Sequence, residues 1–437
     1  MSTSAPTAAS TKRREVTAAA AGTVVEFYDL TIYAYLAVVL SPLFFPNEDP
    51  TASLLASLAV FASAYAIRPI GGIVLGRLGD RHGRKRALYV SVVLMGVGST
   101  LMALLPTYET AGLLAPVLLV VARLIQGFSA GGEFGSALTY VFETADDKRK
   151  GFSGSFVTFG SNGGFALAAI AVGTVTALTT DEQMNSWGWR VPFILGIPLR
   201  LFSIWTRSRI GESEDFEKLA GNNDTLDAPL RYTLRNNLKQ VTQVFGLAVA
   251  QSATGYMILT YMAIYLVNEA GYGTSVVAWT TAGIISLIAV LTPFVGMLVD
   301  RFGSKRILIV GLLWSGITAY PAMSMMHDHG YLTAVIAYFV FAIGAPLVQI
   351  ANAPLLPSLF GPEARLTGVA FGFNCATCLA GGTAAYISTW LIDATSNQQS
   401  PAFFVIVTCL VGGVAALSLR KAVVGADRTD KQSPIEA

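Results

Sequence analysis

The chain has 437 residues, of which 53% are hydrophobic and only 13% charged, and its mean hydropathy is +0.56. Soluble domains carry about 25% charged residues, so this balance over such a length excludes an ordinary globular protein. The net charge of +2 is dispersed among loops and leaves no footprint for nucleic acid.

Lys12, Arg13 and Arg14 precede an alanine-rich run and imitate a secretory leader. Glu26 and Asp29 interrupt that apolar stretch and many further spans follow, so an uncleaved first membrane helix is expected. A membrane helix needs about 20 apolar residues. Runs of that kind lie near 18–40, 53–76, 87–106, 113–142, 152–178 and 188–206, then near 240–266, 275–299, 307–326, 331–356, 366–392 and 401–420. The expectation is an all-α membrane protein of twelve spans: a tail over 1–15, a six-helix bundle over 16–206, a hydrophilic connector over 207–239, a second six-helix bundle over 240–420 and a tail over 421–437.

The basic residues set the orientation. Nearly all Lys and Arg fall in the N-terminal tail, the 77–86 loop, Lys148–Lys150, the connector, the 301–306 loop, Arg365 and the C-terminal tail. The alternate loops carry acids instead: Glu48, Asp49, Glu109, Asp181, Glu182, Glu269, Asp328 and Asp393. Both termini are therefore expected in the cytoplasm of a bacterial inner membrane.

An internal repeat divides the chain at the same place. Gly76-Arg-Leu-Gly-Asp80-Arg81-His-Gly83-Arg84-Lys85-Arg86 follows the second run, and Gly296-Met-Leu-Val-Asp300-Arg301-Phe-Gly303-Ser304-Lys305-Arg306 follows the eighth. Each reads as a glycine-permitted turn between antiparallel helices, whose Asp caps a helix or pairs with Arg. Asp80, Arg81, Arg84, Asp300 and Arg301 are accordingly expected to form a cytoplasmic gate.

Nucleophilic and metal chemistry find no support. Cys375 and Cys378 sit one turn apart in an apolar run, Cys409 is isolated, and His82, His327 and His329 lie in loops or at helix ends. No cofactor is expected, and if a proton serves as coupling ion a carboxylate must carry it. Ionisable groups inside a span are costly and mark function. Five stand out, all in the first half: Glu26, Asp29, Arg68, Arg123 and Glu133. The second-half spans contain none.

Counting depth at about 1.5 Å per residue pairs Arg68 with Glu133 or Glu26, and Asp29 with Arg123. Asp29, Glu26 and Glu133 are the candidate proton-coupling groups; Arg123 and Arg68 are the candidate substrate-binding cations. Tyr33 shares a helix face with Glu26 and Asp29. Gln251, Tyr256, Tyr261, Gln349, Asn352 and Asn374 offer neutral hydrogen bonds to substrate or between helices. Trp279, Tyr28 and Tyr65 offer aromatic faces to a quaternary ammonium, or simply pack.

The doubled Gly-x-Leu-x-Asp-Arg-x-Gly-type loop resembles the signature of the major facilitator superfamily. Four further stretches are similar to its metabolite:proton symporter family: Glu26-Phe-Tyr-Asp29, Arg68-Pro-Ile-Gly-Gly72, Arg123-Leu-Ile-Gln-Gly-Phe-Ser-Ala-Gly-Gly-Glu133 and Trp187-Gly-Trp-Arg190-Val-Pro192-Phe. The resemblance covers residues 16–420 and is nearest to the proline/betaine branch through Leu259-Thr-Tyr-Met262, Tyr265-Leu and Phe373-Asn374. It implies two pseudo-symmetric bundles, a monomer in the lipid bilayer, and proton-coupled uptake of a small carboxylate or zwitterion by alternating access. An exporter of small molecules is the second reading. Phe27 stands where the family usually has Trp, and the tail after Lys421 shows no heptads of the osmosensing kind.

Overall fold

The computed structural model describes residues 8–82, 84–131, 138–139, 141–143, 145–208 and 229–419, and every regular element among them is helical. The first half contains α1 (Ala8–Tyr35), α2 (Ala37–Phe44), α3 (Pro50–Ala66), α4 (Arg68–His82), α5 (Arg84–Leu104), α6 (Leu114–Ala130), α7 (Lys150–Leu178) and α8 (Val191–Ser208). The second contains α9 (Leu238–Tyr256), α10 (Met262–Asn268), α11 (Thr274–Phe302), α12 (Ser304–Asp328), α13 (Tyr331–Ala342), α14 (Gly344–Ser358), α15 (Pro362–Ala376), α16 (Ala384–Thr395) and α17 (Pro401–Ser418). Eight helical stretches are long and apolar enough to cross a membrane, and a ninth arises if α1 and α2 are taken together. Large apolar side chains such as Leu114, Ile317, Leu332 and Leu417 cover the outside, the surface a bilayer requires.

The helix breaks have identifiable causes. Asp49 accepts the Thr51 N–H at 2.8 Å and Pro50 occupies the first turn, so α3 starts there. Pro69 lacks the N–H that would complete the bond to Tyr65, and the helix resets at Ile67 before α4. Gly303, at φ 90°, ends α11 and begins α12 in a conformation that L side chains rarely adopt. The run expected as one span near 18–40 is instead bent by 60° between α1 and α2. Two π segments, Met257–Tyr261 and Thr377–Gly382, interrupt the second half. A short helix, Pro229–Asn236, lies within the expected connector.

Glycine brings backbones together where the halves and their arginine-bearing helices meet. A Cβ on Gly127 would overlap the Ala64 carbonyl, and one on Gly131 the Arg68 carbonyl, which locks α6 against α3 and α4. A Cβ on Gly296 would stand 2.9 Å from the Gly151 carbonyl, so α11 crosses α7 in direct contact between the halves. This seam of small residues permits close approach in the absence of any hydrophobic drive between membrane helices.

Candidate functional site

One face of α1 supplies a group to each of three buried arginines. Glu26 lies within electrostatic range of Arg68, Asp29 faces Arg200, and the Tyr33 ring carries the Arg123 guanidinium 4.6 Å from its centroid. Asp29 and Arg123 are fully buried, and Arg68 and Arg200 are each 3% exposed. Among the described residues no buried Asp, Glu, Lys or Arg belongs to the second half.

The pairing of Asp29 with Arg123 expected from depth is not the one formed. The ion partner of Asp29 is Arg200 of α8, Nε to Oδ2 at 3.6 Å, because α8 lies against α1 at this level while Arg123 is turned toward Tyr33 and Gln126. Arg200 is a buried charge outside the five expected from sequence. It lies inside the run expected near 188–206, where it is legible as a charge within a span. It donates to its own helix, to Gly196 O at 3.0 Å and Phe193 O at 2.9 Å. Neither Asp29 carboxylate oxygen makes a hydrogen bond.

Arg68 and Arg123 lie within electrostatic range of each other and share Tyr65 and Tyr256 as neighbours. In both, Nε and Nη2 have no hydrogen-bond partner. These two atoms form the side-on edge of a guanidinium, the edge that matches a carboxylate in a fork. Arg123 commits only Nη1, to Gln126 Oε1 at 3.0 Å. Two cations thus hold two unused carboxylate-binding edges inside a sealed interior.

Around them runs a closed series of aromatic rings that begins and ends on α1. Phe27 meets Phe165 at 5.4 Å, Phe165 meets Tyr256 at 6.2 Å, Tyr256 meets Tyr65 at 5.2 Å, Tyr65 meets Phe61 at 5.1 Å, and Phe61 stacks on Tyr33 at 6.3 Å. Tyr256 alone comes from the second half, so the ring closes only when the halves are together. Phe27, the departure from the family's usual Trp, is a member of this series.

The other candidates are dispersed. Asn352 donates to Gln251 Oε1 at 2.9 Å, tying α14 to α9. Gln349 stands beside Gly255. Tyr261 packs on Tyr265 at 6.2 Å, with Thr389 as its polar neighbour. The Tyr33 hydroxyl is occupied by Ser57. Tyr28 donates to Pro192 O, and Trp279 is 48% exposed on the outer surface. Glu133 and the side chains of Asp80, Arg81 and Arg84 lie outside the described residues.

Both ends of the site are tied across the halves. At the Asp300 end, that carboxylate accepts the Gly151 N–H at 2.6 Å and the Phe152 N–H at 2.9 Å, capping the first turn of α7 from the opposite bundle. Arg365 pairs with Glu143 at 2.9 Å, and Asn374 donates to Gly131 O at 2.7 Å. Arg301 is exposed, its guanidinium 5.3 Å from the centroid of the neighbouring Phe302 ring rather than on the opposite bundle. At the other end Tyr35 donates to Leu259 O at 2.6 Å, a carbonyl of the first π segment. The cavity left there, lined by Tyr35, Ala169, Val172, Val277 and Thr281 among others, is about 30 Å³, the volume of about one water.

A helix cap from an Asp contributes about 1 kcal/mol, and this one exists only while its end is shut. Asp300→Ala is therefore expected to raise the open population at that end by about fivefold, as a 1 kcal/mol change dictates. Thiol labelling of a cysteine placed at Ser155 measures it; labelling unchanged from the parent would show that the cap does not hold the gate.

The comparisons agree with this geometry. Residues 15–224 match the family described as Sugar (and other) transporter, and residues 244–435 match the Major Facilitator Superfamily. The glycine betaine/proline/ectoine/pipecolic acid transporter of Dickeya dadantii is 32% identical over 94% of this chain and 83% of its own. The ectoine/proline transporter of Corynebacterium glutamicum is 35% identical over 91% of this chain and 81% of its own, and the proline/betaine transporter of Escherichia coli K12 is 30% identical over 94% and 83%. Among solved structures, a D-xylose–proton symporter superposes with TM-score 0.73 at 18% identity, covering 93% of this chain and 96% of that one, which shows a shared fold. The chain is a membrane transporter, and it belongs to the major facilitator superfamily, within its metabolite:proton symporter family.

Proposed function

We propose that the protein imports a small zwitterion of the proline or betaine class together with protons, by alternating access of two six-span bundles whose termini are both cytoplasmic. The observation that carries this reading is the pair of free side-on guanidinium edges on Arg68 and Arg123 within the aromatic series. Arg68 has Glu26 in range, but Arg123 has no carboxylate beside it among the described residues; a buried cation left unpaired is costly, so the site is built for an anionic group that comes and goes. The substrate carboxylate takes one or both edges. Its ammonium faces Tyr65, Tyr256 and Phe165, whose ring faces attract a cation. The names of the relatives, which cover proline, betaine and ectoine, favour the same chemistry.

Asp29 is the proton carrier in this scheme. Arg200 stands ready as its counter-charge yet is already anchored by two carbonyls, so Asp29 gains or loses a proton without setting a cation adrift. Substrate reaches the arginines when one end opens. At the Asp300 end the Asp300 cap and the Arg365–Glu143 pair break, and at the other the Tyr35–Leu259 bond.

The test is uptake of labelled proline and glycine betaine into proteoliposomes holding the purified protein, with and without an acid-outside gradient. Gradient-stimulated accumulation of either solute is expected. Arg123→Gln should weaken binding by about 10- to 100-fold, the worth of a charge-assisted bidentate contact. Accumulation that ignores the gradient would end the symport reading. Arg123→Gln binding as the parent does would move the site elsewhere.

A further inference from the structure

A chain of polar contacts links the substrate cation to the proton carrier through two residues the scheme above leaves unused. Arg123 Nη1 donates to Gln126 Oε1 at 3.0 Å, and Gln126 Nε2 donates to Ser99 Oγ at 2.6 Å. The Ser99 hydroxyl stands beside the Asp29 carboxylate and interacts with it, without the geometry of a full hydrogen bond. Ser99, Gln126, Arg123 and Asp29 are all fully buried. The approach is made possible by Gly98, where a Cβ would stand 2.8 Å from Gln126 Cγ. The charged and titratable groups facing Asp29 among the described residues are Arg200 from α8 and Tyr28 from its own helix; α5 contributes Ser99.

We infer that Gln126 and Ser99 are positioning residues through which occupancy of Arg123 by a substrate carboxylate is coupled to protonation of Asp29. The polarity of the chain is fixed by its ends. The Arg123 cation takes the Gln126 carbonyl, which leaves the amide N–H₂ to donate to Ser99. With its oxygen so occupied, the Ser99 hydroxyl hydrogen is free for Asp29. Bonds in series polarise one another in a low-dielectric interior, so the Arg123 charge is felt at Asp29 as support for its ionised form. A substrate carboxylate on the free Nε and Nη2 edge neutralises that charge, the support weakens, and the proton binds more readily. By reciprocity a proton on Asp29 strengthens substrate binding to the same extent. The amide carries polarisation and no proton. This inference rests on the proton-symport reading.

The experiment compares two assays on the full chain in proteoliposomes, with labelled proline as probe: accumulation driven by an acid-outside gradient, and counterflow at equal pH. In Ser99→Ala and in Gln126→Leu the ratio of driven accumulation to counterflow is expected to fall by about 10-fold, within the usual range of a coupling between sites. The double variant should fall no further, because the two residues act in series. Ser99→Thr keeps the hydroxyl and should keep the parental ratio. A role in packing alone lowers both assays together and leaves the ratio unchanged; that result, in either single variant that melts at the parental temperature, overturns the inference. So do losses that add in the double variant. A parent protein indifferent to the gradient overturns the symport reading and this inference with it, and is recognised before any variant is made.

Discussion

Uptake by the Asp29→Asn variant is expected to lose its response to a proton gradient altogether, so that proline accumulates only to the level of the medium. Asparagine matches the shape of the protonated carboxyl and cannot exchange the proton. Among the described residues no other carboxylate occupies the position: Glu26 lies in the field of Arg68, one helical turn away. Breaking a buried ion pair commonly costs about 3–5 kcal/mol, which would confuse a functional loss with unfolding. Here the cost should be smaller, because Arg200 keeps its bonds to Gly196 O and Phe193 O and the pair itself is separated by 3.6 Å without a hydrogen bond. Asp29→Asn should therefore melt close to the parent. Arg200→Gln uncouples by the opposite route, since it removes the counter-charge that the ionised carboxylate needs. The measurement is gradient-driven uptake beside the melting temperature of the same preparation. Full gradient response in Asp29→Asn would transfer the proton to another group.

Asp29 also marks the limit of what could be read from residue types. Rare charges in apolar runs identified Glu26, Asp29, Arg68 and Arg123, because burying an ion in a membrane needs a reason visible in composition alone. The doubled Asp-bearing loop likewise pointed to Asp300 at a helix N-terminus, where it is found. Which charge meets which was not legible. Partnership depends on how each helix is rotated and which helices are neighbours, and neither leaves a trace in spacing along one helix. Arg200 shows this: it lies on α8, far in sequence from α1, and nothing in its spacing points to Asp29. Ser99 and Gln126 carried even less signal, since neutral polar residues in membrane helices usually serve as interhelical contacts. Gln251 and Asn352 do just that. The apolar runs located most helices well, while the α1–α2 bend and the two π segments leave no mark in hydropathy.

The second large effect concerns the scaffold that holds the two arginines in range of one another. Gly127→Ala is expected to destabilise the protein by about 3 kcal/mol or more, the upper range for forcing extra volume into a packed interior. The added methyl would overlap the Ala64 carbonyl, which belongs to a helix backbone and cannot rotate aside. Relief requires α6 to move away from α3, and that movement separates Arg123 from Tyr33 and Phe61 on its way. Binding and stability should thus fall together, unlike the selective loss in Asp29→Asn. Gly283→Ala supplies the comparison. It is the same chemical change within a helix, on an exposed face of α11 with nothing within 4 Å of the new Cβ. There alanine's higher helix propensity predicts a neutral or slightly stabilising result, by up to about 1 kcal/mol. Melting of the two variants in the same detergent decides the matter. Equal melting temperatures would mean that α3 and α6 are not in backbone contact, and the paired guanidinium edges would lose the support on which the substrate site depends.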